Sequence, residues 1–138
     1  MAKGGLDEKI LQILRKDGRA SNVEIAKAVG LTEGAVRHRL KNLVDNGTIK
    51  RFTVELSPGN EIFAIVMVKS KGETKKMMAE ISGTGVPREA YEISGEYDGC
   101  IIISGKSMEE IDKGIDRIRK CNMVADTKTF MSFHRWQD

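Results

Sequence analysis

Residues Leu31–Arg51 read LTEGAVRHRLKNLVDNGTIKR, and the rest of the chain is organised around them. At about 100° per residue, Val36, Leu40 and Leu43 fall on one side of a helix, with Val44 beside them. Gly34, His38, Lys41 and Asp45 lie opposite, and Arg37 and Arg39 flank the apolar stripe. Thr32 supplies an N-cap oxygen, and Asn46-Gly47 a left-handed stop. A helix held from one side and basic on the other fits a DNA major groove, provided a second capped helix precedes it.

Such a helix does precede it. Ser21-Asn22-Val23-Glu24 is a capping-box pattern, a hydroxyl followed three residues later by a carboxylate. It opens a short helix carrying Val23, Ala26 and Val29 and closed by Gly30, and the alanines at 26 and 28 leave room for a neighbouring helix. Further upstream, Leu6, Ile10, Ile13 and Leu14 repeat at helical spacing, with Asp7 or Glu8 near the positive helix start. Met1–Gly5 reads as a frayed tail, and Asp17-Gly18 ends this first helix. The three helices predict a trihelical DNA-binding unit with a tight helix-turn-helix.

Downstream the period changes from helix to strand. Phe52, Val54 and Leu56 alternate with Arg51, Thr53 and Glu55, predicting a strand that serves as a wing or connecting arm. Lys50 and Arg51 would then sit beside phosphates. Ser57-Pro58-Gly59-Asn60 is the clearest break in the chain. It divides a helix-turn-helix domain with its connecting strand, 1–60, from a second domain, 61–138.

The second domain reads strand, helix, strand, strand, helix, strand. Ile62–Val68 is nearly continuously apolar, as for a central strand buried on both faces. Thr74–Ile81 is helical, with Met77, Met78 and Ile81 as a core stripe. Tyr91 and Ile93 alternate with Glu92 and Ser94; the turn Gly95–Gly99 and the strand Cys100–Ile103 follow. Ser107-Met108-Glu109-Glu110 is a second capping box, opening a helix with Met108, Ile111, Ile115 and Ile118 on one face, and Thr127–Phe133 is the last strand. The predicted fold class is α+β: a winged-type helix-turn-helix domain followed by a ferredoxin-like βαββαβ domain. Two helices cover one sheet face, so self-association is the simplest cover for the other.

Charge follows the same division. Residues 1–60 hold 11 Lys/Arg against 7 Asp/Glu, and residues 61–138 hold 12 against 13, so the net charges +4 and −1 sum to the chain's +3. The basic excess lies wholly in the half that carries the helix-turn-helix. No apolar run is long enough to span a bilayer and no leader-like segment opens the chain, which predicts a cytoplasmic protein without a membrane partner. Cys100 and Cys121 are isolated thiols without metal spacing, so neither a metal site nor a disulfide framework is expected.

Taken together, Ala35-Val36-Arg37, Arg39-Leu40, Leu43 and Gly47-Thr48-Ile49, the loop Gly95-Glu96-Tyr97-Asp98, and Thr127-Lys128-Thr129 resemble the Lrp/AsnC, or feast/famine, transcription regulators over essentially the whole length. The segment IKRFTVELSPGNEIFAIVMVKS resembles archaeal members associated with amino-acid biosynthesis. The resemblance implies a regulator that binds double-stranded DNA and forms a homodimer through its effector-domain sheets, often assembled further into a tetramer of dimers. It also implies a free amino acid bound near the Gly95–Asp98 loop and no cofactor.

The expected DNA-binding residues are Arg37, His38, Arg39, Lys41, Lys50 and Arg51. The expected effector residues are Gly95, Glu96, Tyr97, Asp98, Thr127 and Thr129. Asp98 suits an α-ammonium, the turn amides an α-carboxylate, and the threonine hydroxyls offer further polar contacts. Glu89, Glu92 and Glu96 favour a basic or amide effector such as lysine, arginine or glutamine. Read from the residues alone, Gly95 and Gly99 make a hairpin turn that Asp98 caps.

Gly34 departs from the family pattern, since many relatives carry a hydroxyl residue there, and no base-reading role transfers to it. Two rivals differ in class. One is an architectural DNA-binding protein without a metabolite effector. The other is an enzyme of the haem-pathway decarboxylase layout, which uses histidines on a tetrapyrrole; His38 lies on the expected DNA face and His134 near the C-terminus, so no enzymatic activity is expected.

Overall fold

In a computed structural model, residues 2–57 and 59–136 are described, with side chains from residue 5 onward. Met1 of the expected tail and Pro58 of the expected break lie outside these residues. The chain divides into two compact units, Met1–Ser57 and Pro58–Asp138.

The first unit contains α1 (Ala2–Lys16), α2 (Asn22–Val29) and α3 (Glu33–Asp45). The capping chemistry is as expected. Ser21 Oγ accepts from Glu24 N while Glu24 Oε2 accepts from Ser21 N, and Thr32 Oγ1 accepts from Ala35 N. Gly30 (φ 72°) closes α2, and Asn46 ends α3 with Gly47 at φ 78°.

Two details differ. First, α1 starts at Ala2 rather than Leu6, because a helix already anchored by packed turns extends at little cost through adjoining residues. Asp7 is therefore not in its first turn. Second, Ile25 and Ala26 are the buried residues of α2, while Val23 is exposed. Ile10, Ile25 and Val36 are fully buried and form the core with Ala26, and Leu14, Val29, Leu31 and Leu40 pack around them. Burial of each large side chain contributes about 1.5–3 kcal/mol.

No strand forms at 51–57. These residues make no ladder, and Phe52, Val54 and Leu56 are exposed. The alternation is present, but a strand needs a ladder, and the described sheet consists of β-strands from 62 onward only.

The second unit comprises β1 (Ile62–Ser70), α4 (Thr74–Gly83), β2 (Glu89–Glu92), β3 (Gly99–Gly105), α5 (Met108–Arg119) and β4 (Val124–Ser132). It forms one antiparallel sheet of order β2-β3-β1-β4. Ala64, Val66 and Val68 of β1 are fully buried on the face that α4 and α5 cover, with Met77, Ile81, Ile111 and Ile118 from the helices. Met108 stays exposed, and the buried stripe of α5 instead includes Gly114.

β1 is not buried on both faces as expected. Ile65 and Met67 alternate with the buried set and remain half-buried beside Ile102, Cys100 and Phe130, so the second sheet face is open within the single chain. Phe63 is the exception on that face. The Arg88 and Arg135 guanidiniums lie 5.6 and 5.3 Å from its ring centroid and cover it.

The sheet edges differ in length. β2 has four exposed residues with a glutamate at each end, whereas β4 has nine and meets β1 through a register shift at Lys69/Ser70. Only half of the second expected capping box forms. Ser107 Oγ accepts from Glu110 N, but Glu110 Oε2 takes the Lys106 amide.

Candidate DNA-binding helix and effector loop

Burial of Val36 and Leu43 fixes the rotation of α3, so Arg37, His38 and Lys41 point outward. Each has a neighbour on its own helix. Arg37 Nη2 donates to Glu33 Oε1 (2.6 Å), Lys41 Nζ donates to Asp45 Oδ2 (2.8 Å), and His38 Nε2 lies 3.3 Å from Asn42 Nδ2. The hydrogen bond to Asp45 and the attraction of its charge hold the Lys41 ammonium above the ordinary lysine pKa. Lys50 and Arg51 are exposed beyond α3.

Arg39 is placed differently from the other basic residues. It is 24% exposed, and its Nη1 donates to Asp7 Oδ1 of α1 at 2.9 Å. The structure thus gathers Arg37, His38 and Lys41 on one wet face and turns Arg39 toward α1. Asp7 escaped the sequence reading as a partner because 32 residues separate it from Arg39.

The loop Gly95–Asp98 joins β2 to β3, with Gly95 at φ 136°. Asp98 ties this loop to the end of β1: its N donates to Val68 O and its Oδ2 accepts from Ser70 N (2.8 Å). Its main-chain oxygen accepts from Ile93 N, which closes the turn. Its Oδ1 accepts no hydrogen bond among the described residues. Gly99 must be glycine here, since a Cβ would lie 2.7 Å from Val68 Cγ2 and 2.9 Å from Met78 Sδ. Tyr97 faces Lys69, whose Nζ lies 5.3 Å from the ring centroid, while Glu96 is exposed.

Thr127, Val68 and Gly99 stand in register across β4, β1 and β3. Thr127 and the loop thus share one end of the sheet, separated by two strand spacings of about 4.8 Å each. Thr127 Oγ1 accepts from Arg119 Nε (3.2 Å). Thr129 pairs with Val66 on the helix-covered face, and its buried Oγ1 has no hydrogen-bond partner among the described residues. Of the acidic residues expected nearby, Glu92 stands opposite Gly99. Glu89 is engaged on the open face, accepting from the Tyr91 hydroxyl (2.6 Å) and lying 3.7 Å from Arg135. That hydrogen bond raises the Tyr91 pKa.

These features agree with what the chain is similar to. Residues 5–50 match a winged helix-turn-helix DNA-binding family, and residues 63–138 match the Lrp/AsnC ligand binding domain. The HTH-type transcriptional regulator LysM of Saccharolobus solfataricus is 38% identical, over 99% of both chains. The HTH-type transcriptional regulator FL11 of Pyrococcus furiosus is 33% identical, over 91% of this chain and 86% of that one. Among solved structures, a feast or famine regulatory protein of M. tuberculosis complexed with L-methionine superposes with a TM-score of 0.86 at 21% identity, covering 97% of this chain and 94% of that one. From the helix-turn-helix and the ligand-binding domain together, the chain belongs to the Lrp/AsnC family of DNA-binding transcriptional regulators.

Proposed function

We propose that this regulator responds to a free amino acid held at the Gly95–Asp98 end of the sheet, and that the ligand changes its assembly on DNA. The observation that carries the reading is the divided use of Asp98. One carboxylate oxygen is committed to Ser70 N, and the other is open beside a glycine turn. An α-ammonium would take the open oxygen, and turn amides would take the α-carboxylate. Thr127 and the unpartnered Thr129 hydroxyl supply further polar groups. With Glu89 engaged on the other face, Glu92 and Glu96 remain to favour lysine, arginine or glutamine.

On DNA, Arg37, His38 and Lys41 enter or flank the groove and Lys50 and Arg51 meet phosphates, while Arg39 holds α3 against α1. The open sheet face pairs two copies, which supplies two helix-turn-helix units for paired half-sites, and dimers associate further at the effector end. The effect of the ligand on DNA binding is bounded by its differential affinity for the assembly states.

Calorimetric titration with each of the twenty amino acids tests this on wild type and Asp98→Asn. Asparagine can still accept from Ser70 N but lacks the charge. Specific binding by wild type that weakens at least tenfold in Asp98→Asn, with operator affinity retained, is expected. Unchanged ligand binding would remove Asp98 from the site. Binding of none of the twenty would leave an architectural DNA-binding protein as the better reading.

A further inference from the structure

We infer that the C-terminal segment Phe133–Trp136 is a reciprocal clamp between two copies of this chain, each copy's aromatic side chains filling a recess on the other's open sheet face. This rests on the sheet-paired dimer proposed above and specifies how that dimer is held.

The recess is floored by Phe63, Ile65 and Ile102, rimmed by Glu89 and Tyr91, and walled on its remaining side by Ser132, His134, Arg135 and Trp136 of the same chain, with a volume of about 420 Å³. Trp136 stands in that wall yet is 89% exposed, and Phe133, just outside the recess, is fully exposed, so both rings project beyond the hollow. Isolated exposed aromatics need no explanation, but here a protrusion and a hollow of matching chemistry lie on one face of one chain. In a two-fold association the same patch serves both partners, so each protrusion meets a hollow and the contact closes on itself.

The segment is also set in place before any partner arrives. Arg135 stacks on Phe63 at 5.3 Å and approaches Glu89 at 3.7 Å, while His134 packs edge-on against Trp136 with ring centroids 5.0 Å apart. Ordering of this kind lowers the entropy lost on binding. Chemistry favours indole in particular. Its N–H is a donor only, and the Glu89 carboxylate at the rim is an acceptor. Area agrees as well. Four such rings in a dimer would bury on the order of 600–1,000 Å², at about 150–250 Å² each. With the surface they cover, this reaches the ~1,200–2,000 Å² of a stable interface.

Trp136 is the chain's only tryptophan, so the intact protein carries its own reporter. Fluorescence emission and acrylamide quenching would be read beside light scattering through a dilution series, with Ile65→Asp on the open face as the monomer reference. The expected result is a dimer with short-wavelength emission and quenching several-fold slower than in the monomer. Replacing both Phe133 and Trp136 by alanine should weaken dimerisation on the order of tenfold to a hundredfold. A dimer whose indole is quenched as freely as in the monomer would overturn the clamp and leave sheet pairing intact. Equal shielding in the monomer would place the ring in its own recess and also overturn it. A wild-type monomer at every concentration would overturn both readings.

Discussion

Charged side chains are used differently in the two units. On α3 they pair within one turn of their own helix, Arg37 with Glu33 and Lys41 with Asp45, all four well exposed. The second unit has such exposed helix pairs too, Glu73 with Lys76 and Glu109 with Lys113, but three of its charged side chains reach across the fold to main-chain groups. Glu80 of α4 accepts from both Asn122 N and Met123 N at the turn between α5 and β4. Asp98 holds Ser70 N, and Arg117 donates to Thr84 O. The lesson concerns exchange. An exposed cation can leave a neighbouring carboxylate for a phosphate at little cost, because water screens both states. A carboxylate that leaves a part-buried amide strands it, at about 1–3 kcal/mol. The outer face of α3 therefore carries charges that can change partners, whereas Glu80, Asp98 and Arg117 of the second unit act as staples.

The largest effect is expected from removing the exchangeable cations. Arg37→Ala with Lys41→Ala should lower operator affinity on the order of tenfold to a hundredfold at moderate salt. If each meets one phosphate, the slope of log K against log salt should flatten by about 1.8. Thermal unfolding should barely move, and unchanged affinity would show that the wrong face of α3 has been assigned to DNA.

Next comes the strongest staple. Glu80→Ala frees two amides at once and should destabilise the second unit by about 1.5–3 kcal/mol, read by urea unfolding, without altering DNA contacts made by α3. A loss no larger than that of an ordinary surface substitution would erase the contrast.

Asp7→Asn should have a smaller effect, about 0.5–1.5 kcal/mol in unfolding, since it weakens one half-exposed ion pair between α1 and α3. Affinity should fall modestly with no change of salt slope, because Arg39 contacts no phosphate in this reading. A flattened slope would return Arg39 to the DNA-contacting set. The smallest stability effect is expected from Glu33→Gln with Asp45→Asn. The unfolding midpoint should hold, while operator affinity rises slightly as two carboxylates that compete with phosphate are neutralised.

How much of this was legible in the sequence depends on distance along the chain. The caps at Ser21 and Thr32 join residues three apart, and such chemistry is written locally. The α2 stripe was ambiguous because Val23, Ile25, Ala26, Ala28 and Val29 allow more than one helical phase; packing against Ile10 and Val36 selects Ile25. The alternation at 52–56 reads as a strand, but pattern cannot reveal whether a pairing neighbour exists in the same chain.

At the effector loop, the residues were visible and their allegiance was not. Nothing local to Asp98 announces Ser70, 28 residues earlier, or separates Glu92 near the loop from Glu89 on the opposite face. The recess beside Phe133 and Trp136 draws on β1, β2, β3 and the C-terminal segment, so it existed for the reader only once the sheet order was known.

The two sheet edges bear on how these molecules behave when crowded. An unpaired strand edge is a template on which further strands can add without limit. Here β2 offers only four residues with a glutamate at either end, and β4 carries Asp126 and Lys128 beside its register shift. Two copies adding edge to edge would set like charges against one another or meet a kinked ladder. Growth by strand addition is therefore disfavoured at both edges of the sheet, whereas the proposed contact across the face would finish once two copies had met. A regulator paired in that way would form finite particles at high concentration rather than fibres.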